Sequence, residues 1–361
     1  MVYGNSQINR SFFYDTDNCT VYFTYFSEFN RLWEGAAFIE AVVMSIIFLL
    51  SIFENGIIIG FIFNSRKSRT VTNFFVCNLA IGDILFVSSA PLVAYVRITG
   101  TWYLGDGMCH LLNYGMFVCS NTMIWTMVAI SIDRYICIVI GIPTSRRLVP
   151  VHIVLICAGI WLTTSCCFLP TAFFFHLQDI HLDHGVITFC TLTWPSGHIH
   201  YSVLFTTMLL LLGFGLPVLI ISLNYYRIFK KFWSSKRAID TQNVSGIQRC
   251  TRTRKRKEQR IVKTLILLVV IFVLMWLPIV IVFSMIREDI ENERNEMPSY
   301  GLTWALIIAY LNPCVNPFLY GFMNEEFLRK LRYCRQYRQS NEQTAVSRTN
   351  LREGQTSASN L

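Results

Sequence analysis

Charged side chains inside long apolar runs are the residues of this chain that offer the clearest chemistry. Asp83, Arg97 and the stretch Asp133-Arg134-Tyr135 each lie within or at the end of such a run. A charge near the centre of a bilayer costs several kcal/mol, so a charge retained at that depth marks a functional candidate. The chemistry on offer is the binding of polar ligands and the exchange of ion-pair partners.

Arg97 is the candidate for binding an anionic ligand. On a helix it lies ~21 Å beyond Asp83, at one end of the same apolar run, where its long side chain can reach the membrane surface. Guanidinium binds carboxylate bidentately, and no carboxylate near Arg97 in the second or third run competes for it. Anchoring to lipid head groups is the open alternative. Glu40, in the first run, is a second polar candidate or a side chain that extends to the same surface.

Asp83 is the candidate for binding a cation within the membrane. Asn55, Asn312 and Asn316 supply amides in the first and seventh apolar runs. With Asp83 they could form a hydrated network around a sodium ion, with Asp83, Asn312 and Asn316 as its ligands. A neutral hydrogen-bonded cluster is the open alternative.

The apolar runs that position these residues predict an all-α membrane protein. The 361-residue chain is 53% hydrophobic and only 15% charged, with a mean hydropathy of +0.44. A helix needs ~20 apolar residues to cross ~30 Å of hydrocarbon, and lipid requires every backbone group to be paired. We therefore expect a seven-transmembrane helix bundle over 36–322, after an N-terminal segment 1–35. The seven runs are 36–64, 71–98, 107–140, 149–174, 199–230, 259–286 and 299–322.

Loop charges predict how the bundle is oriented. Lys and Arg cluster after the first, third and fifth runs, most densely over 249–263, whereas the opposite loops are mostly acidic. Basic loops remain on the cytoplasmic side, so the N-terminus is expected outside and the C-terminus inside, in a multi-pass plasma-membrane protein. The net charge of +9 is then mostly cytoplasmic. A basic segment beside a membrane argues against a nucleic-acid partner.

Cysteines and glycosylation sequons add covalent expectations. Cys109 begins the third run and Cys190 lies before the fifth, so a disulfide between them would hold that loop over the mouth of the bundle. Asn9 and Asn18 are glycosylation acceptors by their sequons. Cys334, after the seventh run, is a palmitoylation candidate or a plain free thiol.

Several motifs occur one set per run and in order. They are Asn55, Leu79-Ala80-Ile81-Gly82-Asp83, Asp133-Arg134-Tyr135, Trp161, Pro217, Trp276-Leu277-Pro278 and Asn316-Pro317-Phe318-Leu319-Tyr320. Together they resemble the rhodopsin-like (class A) G-protein-coupled receptors, over about residues 36–335. The resemblance implies a receptor and not an enzyme, with heterotrimeric G proteins, arrestin and receptor kinases as partners.

The resemblance also implies an activation switch. Arg134 would be held by Asp133 and, at rest, by Glu258, until the sixth helix moves. The other implied switch residues are Ile124, Pro217 and Phe272 under Trp276, Tyr225 and Tyr320 for the open form, and Asn316 and Pro317 in the seventh helix. An amphipathic surface helix would follow over 323–336, and a disordered cytoplasmic tail over 337–361. The tail offers phosphorylation sites at Thr344, Ser347, Thr349, Thr356, Ser357 and Ser359.

Within that family, several stretches are similar to receptors for long-chain fatty acids, which couple to G proteins of the q and i classes. They include Pro91 to Arg97, Trp102 to Gly105 and Cys190 to Pro195. The likeness implies that Arg97 pairs with a fatty-acid carboxylate and that aromatic and polar residues surround the acyl chain. That implied pocket consists of Trp102, Trp194, Trp276, Asn113, Phe117 and Phe205. A receptor for a peptide or another anionic lipid is the alternative, and a seven-helix transporter or channel is a remote one.

Overall fold

The structure of the protein is a computed structural model. It describes residues 12–15, 20–26, 33, 35–64, 70–142, 150–182, 185–194, 201–240, 247–292 and 299–323. The chain divides into two compact units, Met1–Pro317 and Phe318–Leu361. All the contacts described below lie in the first unit.

Helices account for most of the described residues, and they follow the predicted apolar runs closely. The first helix coincides with its run. The helices of the fifth and sixth apolar runs, labelled α8 and α9 below, extend well past those runs. The elements are α1 (Ala36–Asn64), α2 (Val71–Val87), α3 (Ala90–Thr99), α4 (Asp106–Tyr135), α5 (Pro150–Phe168), α6 (Thr171–Phe174), α7 (Tyr201–Leu210), α8 (Leu216–Asp240), α9 (Ile247–Asn292) and α10 (Ser299–Met323).

Six helical segments within the described residues are long and apolar enough to cross a membrane. They are Ala36–Asn64, Val71–Thr99, Asp106–Ile140, Val151–Phe174, Tyr201–Ser234 and Val262–Arg287. The 25-residue α10 follows these six segments in chain order and corresponds to the seventh apolar run. The expected seven-helix arrangement is therefore supported by length, order and composition.

The second apolar run is broken between α2 and α3, next to Pro91. Pro91 lies in the first turn of α3, where its missing N–H costs little. Ser88 Oγ donates to the Ile84 carbonyl at 2.7 Å and Ser89 Oγ donates to the Phe86 carbonyl at 2.6 Å. These serines satisfy carbonyls at the break, and α3 ends at Gly100, whose φ of 69° favours glycine.

Two π-helical turns interrupt runs that the sequence predicts as plain helices. Ile136–Ile140 continues α4 past Tyr135, and Leu211–Gly215 separates α7 from α8. A π turn widens the helix by one residue and commonly occurs at functional sites. Here one adjoins the predicted charge switch, and the other carries Gly213 against α4.

Two β-hairpins lie outside the helices. Strand β1 (Phe12–Asp15) pairs antiparallel with β2 (Thr20–Phe23), and β3 (Phe175–Leu182) pairs antiparallel with β4 (Gly185–Leu192). Cys190 in β4 is bonded to Cys109 at the start of α4, with their Cα atoms 5.6 Å apart. The predicted disulfide is confirmed, and it fixes the β3–β4 hairpin to α4. We call this end of the bundle the disulfide end.

Buried amides join the helices laterally. Asn78 Nδ2 donates to Thr126 Oγ1 at 2.8 Å, and Trp161 Nε1 donates to Asn78 Oδ1 at 3.0 Å. Asn55 Nδ2 donates to the Pro313 carbonyl at 3.0 Å, so α1 supplies the hydrogen bond for a carbonyl of α10. These bonds connect α1, α2, α4, α5 and α10 and hold the site residues in register.

Candidate functional site

Arg97 and Glu40 form a buried ion pair between α3 and α1. Arg97 Nε donates to Glu40 Oε2 at 2.8 Å, and Arg97 Nη2 contacts the same oxygen. Each residue is only 1% exposed. The expectations that these side chains extend to the membrane surface are therefore wrong. The carboxylate competing for Arg97 comes from the first helix, which is 57 residues earlier in the chain.

The other predicted ligand residues of the disulfide end are engaged in holding that end together. Trp102 is buried, its backbone N–H donates to the Thr188 carbonyl at 2.7 Å, and its Nε1 donates to the Gly105 carbonyl at 2.9 Å. Asn113 Nδ2 donates to the Cys109 carbonyl at 3.0 Å and contacts Cys190 Sγ at 3.4 Å. Both side chains thus support the attachment of the β3–β4 hairpin to α4.

A cavity of about 60 Å³ lies between α4, the α7–α8 region and α9. Phe117 and Trp276, two of the predicted ligand residues, line it. Every lining side chain is uncharged, and most are aliphatic or aromatic. The complete lining is Phe117, Ser120, Asn121, Leu209, Gly213, Phe214, Phe272, Trp276, Ile279, Val280 and Phe283.

Aromatic rings form the side of this cavity nearest the hairpin. Phe117 packs on Phe168 with ring centroids 5.6 Å apart, on Phe205 at 5.5 Å and on Phe283 at 5.8 Å. Trp194 packs on Phe205 at 5.2 Å, behind the first layer of rings. Phe205 and Trp194 thus lie in the predicted aromatic region, but neither is among the residues that line the cavity. Phe205 packs behind Phe117, and Trp194 packs behind Phe205.

Trp276 lies between the cavity and a buried aromatic cluster. Its ring centroid is 5.6 Å from that of Phe272 and 5.2 Å from that of Phe86, which in turn lies 5.0 Å from that of Tyr310. The Tyr310 hydroxyl shares a hydrogen bond of 2.6 Å with Ser89 Oγ. A ligand that displaces the Trp276 ring would therefore also affect Phe272 in α9 and Phe86 in α2. Through Phe86 the displacement would reach Tyr310 in α10.

Polar atoms of the cavity are few and neutral. Asn121 Nδ2 donates to the Phe117 carbonyl at 3.0 Å, while Asn121 Oδ1 accepts no hydrogen bond from the described residues. Trp276 Nε1 is buried and likewise has no partner there. Ser120 Oγ, which donates to the Phe117 carbonyl at 3.0 Å, is the third polar group of the lining. Few polar groups thus surround an apolar volume, which suits an apolar ligand portion.

Asp83 lies at the centre of a separate, fully buried polar site. Asn316 Nδ2 donates to Asp83 Oδ2 at 2.9 Å, so the predicted contact between α2 and α10 is present. Asp83 Oδ1, Asn312 Oδ1 and Asn55 Oδ1 are buried oxygens without partners among the described residues. Unpaired carboxylate and amide oxygens fit a hard monovalent cation, although Asn55 and Asn312 make no hydrogen bond to Asp83 in the described contacts.

Asp133 and Arg134 form an ion pair at the end of α4 remote from the disulfide. Arg134 Nη2 donates to Asp133 Oδ2 at 2.6 Å and also contacts Thr72 Oγ1 of α2. Tyr225 of α8 is buried. Arg227 lies over the Tyr135 ring, with Cζ 5.7 Å from its centroid. This arrangement holds Arg134 by local partners.

Only some of the remaining predicted switch residues have side chains that the structure describes. Ile124 and Phe272 are buried, Phe272 stacks on Trp276, and Pro217 lies in the first turn of α8. Asn316 is buried and Pro317 lies inside α10. Other predictions fall outside the described side chains: Glu258, Tyr320, Asn9, Asn18, Cys334, the surface helix over 323–336 and the phosphorylation sites of the tail.

Sequence reasoning missed Phe283 of α9 and, behind it, Tyr25 of the N-terminal segment. Phe283 lines the cavity, and Tyr25 packs on it with ring centroids 6.2 Å apart. The signal for Phe283 was its position seven residues after Trp276, two helical turns along the same face. Tyr25 precedes the first apolar run, and its position depends on long-range packing that no local pattern encodes.

Comparison with known proteins now defines the class of site. The sequence model of the family described as "7 transmembrane receptor (rhodopsin family)" matches residues 54–320. Free fatty acid receptor 4 of Mus musculus is 32% identical over 300 residues, which cover 80% of this chain and 80% of that protein. Somatostatin receptor type 4 of Rattus norvegicus is 30% identical, with 80% and 70% covered. Type-1 angiotensin II receptor A of Xenopus laevis is 28% identical, with 79% and 76% covered.

Proposed function

Because this chain belongs to the rhodopsin family of seven-transmembrane receptors, we propose that it is a plasma-membrane receptor for long-chain fatty acids. Members of this family are multi-pass membrane proteins that act on heterotrimeric G proteins, and they are not enzymes. We also propose that its N-terminus lies outside the cell and its C-terminus in the cytoplasm.

The observation that supports a lipid ligand is the uncharged lining of the cavity above Trp276. An acyl chain placed against Phe117, Phe283 and Ile279 would lose contact with water without leaving a charge buried. Each buried CH₂ contributes ~0.8 kcal/mol, so binding strength would come mainly from the chain. One relative of similar length carries the name free fatty acid receptor 4, which is consistent with this ligand class.

The carboxylate of the ligand is proposed to compete with Glu40 for Arg97. Glu40 uses Oε2 for Arg97, while its Oε1 is buried and has no partner among the described residues. A half-satisfied buried carboxylate is a weaker competitor than a well-placed ligand head group. Exchange of one carboxylate for another would keep the guanidinium neutralised and would free Glu40 to reorient.

Signalling is proposed to run from Trp276 to Arg134, with G proteins of the q and i classes and arrestin as partners. In this proposal Glu258 and Tyr320 complete the switch, receptor kinases act on the tail, Asn9 and Asn18 carry glycans outside the cell, and Cys334 is palmitoylated inside. A sodium ion held by Asp83, Asn312 and Asn316 would stabilise the resting state. Buried oxygens of Asp83 and Asn312 without partners among the described residues support the sodium proposal.

A peptide receptor is the second candidate. It is favoured by relatives of nearly equal identity that are named for somatostatin and angiotensin II. Peptides of that kind would contact mainly the β3–β4 hairpin and the loops of the disulfide end, whereas the apolar cavity offers little for charged side chains. The two candidates therefore differ in whether Phe117 and Phe283 determine potency.

Calcium mobilisation in transfected cells tests the proposal. We expect a saturable response to a long-chain unsaturated fatty acid in receptor-expressing cells and none in mock-transfected cells. Arg97→Ala combined with Glu40→Ala, which removes both members of the pair, should lower potency without removing the receptor from the surface. A normal response in the double variant would refute the role of Arg97, and a response to somatostatin-like or angiotensin-like peptides alone would favour the second candidate.

A further inference from the structure

Residues 23–26 of the N-terminal segment, which we call the roof segment, are built into the disulfide end. Thr191 Oγ1 of β4 donates to the Phe23 carbonyl at 3.0 Å, and Thr24 is fully buried. The Phe26 ring packs on that of Trp102, with centroids 5.4 Å apart. The roof segment thus contacts both the hairpin and the loop between α3 and α4.

Tyr25 connects this segment to the cavity. Its ring is 5.3 Å from that of Phe175 in β3 and 6.2 Å from that of Phe283 in α9. Phe283 itself lines the cavity and packs on Phe117, which lines it from α4. Tyr25 therefore lies one ring away from the cavity, on the side of the hairpin.

The Tyr25 hydroxyl is a polar atom whose partner is missing among the described residues, although the side chain is only 7% exposed. Burial raises the pKa of the Tyr25 phenol above its usual value, so the group is neutral and keeps its proton at physiological pH. A neutral phenol donates a strong hydrogen bond to a carboxylate.

We propose that the roof segment closes the ligand pocket at the disulfide end and that the Tyr25 hydroxyl donates a hydrogen bond to the ligand's head group. The ligand class is an amphiphile whose acyl chain enters the cavity and whose head group accepts hydrogen bonds. This inference rests on the proposed function for the identity of that head group. The closing role of the segment does not depend on it.

Tyr25→Phe isolates the hydroxyl, because it retains the ring contacts with Phe175 and Phe283. We expect the potency of a long-chain fatty acid in the calcium assay to fall about tenfold at unchanged surface expression. Tyr103→Phe is the matched control, since Tyr103 lies at the same end and is 70% exposed. It should leave potency unchanged. Equal potency of Tyr25→Phe and wild type would overturn the hydrogen bond.

Cysteine labelling tests the closing role without any fatty acid. Val280→Cys places a thiol in the cavity lining, and a membrane-impermeant thiol reagent applied to intact cells reports its accessibility. Adding Tyr25→Ala should raise the labelling rate severalfold, relative to parents without the engineered cysteine. An unchanged rate would overturn the roof. If wild type gave no response to fatty acids while Tyr25→Ala still raised the labelling rate, the proposed function would be refuted. The closing role of the roof segment would be retained.

Discussion

Arg97 and Glu40 join α3 to α1 through an ion pair that is almost completely shielded from water, with Nε 2.8 Å from Oε2. Taking both charges out of water is costly, and their attraction offsets that cost only while both are present. The pair is therefore a structural link between α1 and α3. In the proposed function, a ligand anion would bind Arg97 only by displacing Glu40.

The pair predicts non-additive effects on stability. Arg97→Ala leaves a buried carboxylate without its partner and should cost about 3–5 kcal/mol, whereas Arg97→Ala with Glu40→Ala removes both charges and should cost less. Thermal unfolding of the detergent-solubilised receptor gives the comparison. A double-variant loss equal to the sum of the losses in Arg97→Ala and Glu40→Ala would show that the two side chains are not coupled.

The cavity can be narrowed by one methyl group. In Gly213→Ala the new Cβ would lie 3.0 Å from Asn121 Oδ1 and 3.4 Å from Leu209 Cδ1. The added methyl group crowds Asn121 and Leu209, which both line the cavity, so we expect the longest fatty acids to lose more potency than shorter ones. Gly159→Ala is the control, because open space surrounds that position. Concentration–response curves across chain lengths measure the difference, and a uniform loss at every length would argue against a chain-binding cavity.

Removing either cysteine of the disulfide should have the same effect on stability, because each substitution releases the β3–β4 hairpin from α4. Cys109→Ala and Cys190→Ala should each lower stability by about 2–5 kcal/mol, and the double variant should lose no more than either single one. Loss of the bond also loosens the hairpin to which Trp102 and the roof segment are attached. Surface expression and radioligand or fluorescent-ligand binding check this, and a double variant markedly worse than both singles would indicate separate roles.

Arg134 should become more available to G protein when its neighbour is neutralised. Asp133→Asn removes the charge that holds Arg134 Nη2 at 2.6 Å, so basal G-protein activation should rise severalfold. Asp106→Asn, a carboxylate at the opposite end of α4 with a 64% exposed side chain, is the control and should leave basal activity unchanged. Basal nucleotide exchange in membranes is the measurement. A fall in basal activity would mean that Asp133 supports the active state.

Local pattern was sufficient to predict the helices and the contact between Asp133 and Arg134. The run 36–64 coincides with α1, because an unbroken apolar stretch has no alternative to helix in lipid. Asp133 and Arg134 are sequence neighbours, so their contact requires only that the last turn of α4 forms. The disulfide was predictable because Cys109, at the start of the third run, and Cys190, in the loop before the fifth, both fall on the side of the bundle expected to face outside.

Contacts between distant helices were not predictable from local pattern. Glu40 and Arg97 were each recognised as isolated charges near one end of an apolar run, yet nothing local states that α1 and α3 place them together. The π turn at Leu211–Gly215 has the composition of an ordinary helix, and Gly213 within it lies close to Asn121 of α4, a contact that no local pattern encodes. Tyr25 illustrates the same limit, since its partners lie on β3 and α9.

G-protein activation by a series of saturated fatty acids of increasing length is the most direct test of the account. With receptor and G protein in the same membrane preparation, potency should rise about fourfold per added CH₂ until the cavity is full and then level off. Phe117→Ala should flatten that dependence. A complete lack of activation by any fatty acid, or a potency that does not change with chain length, would contradict the assignment.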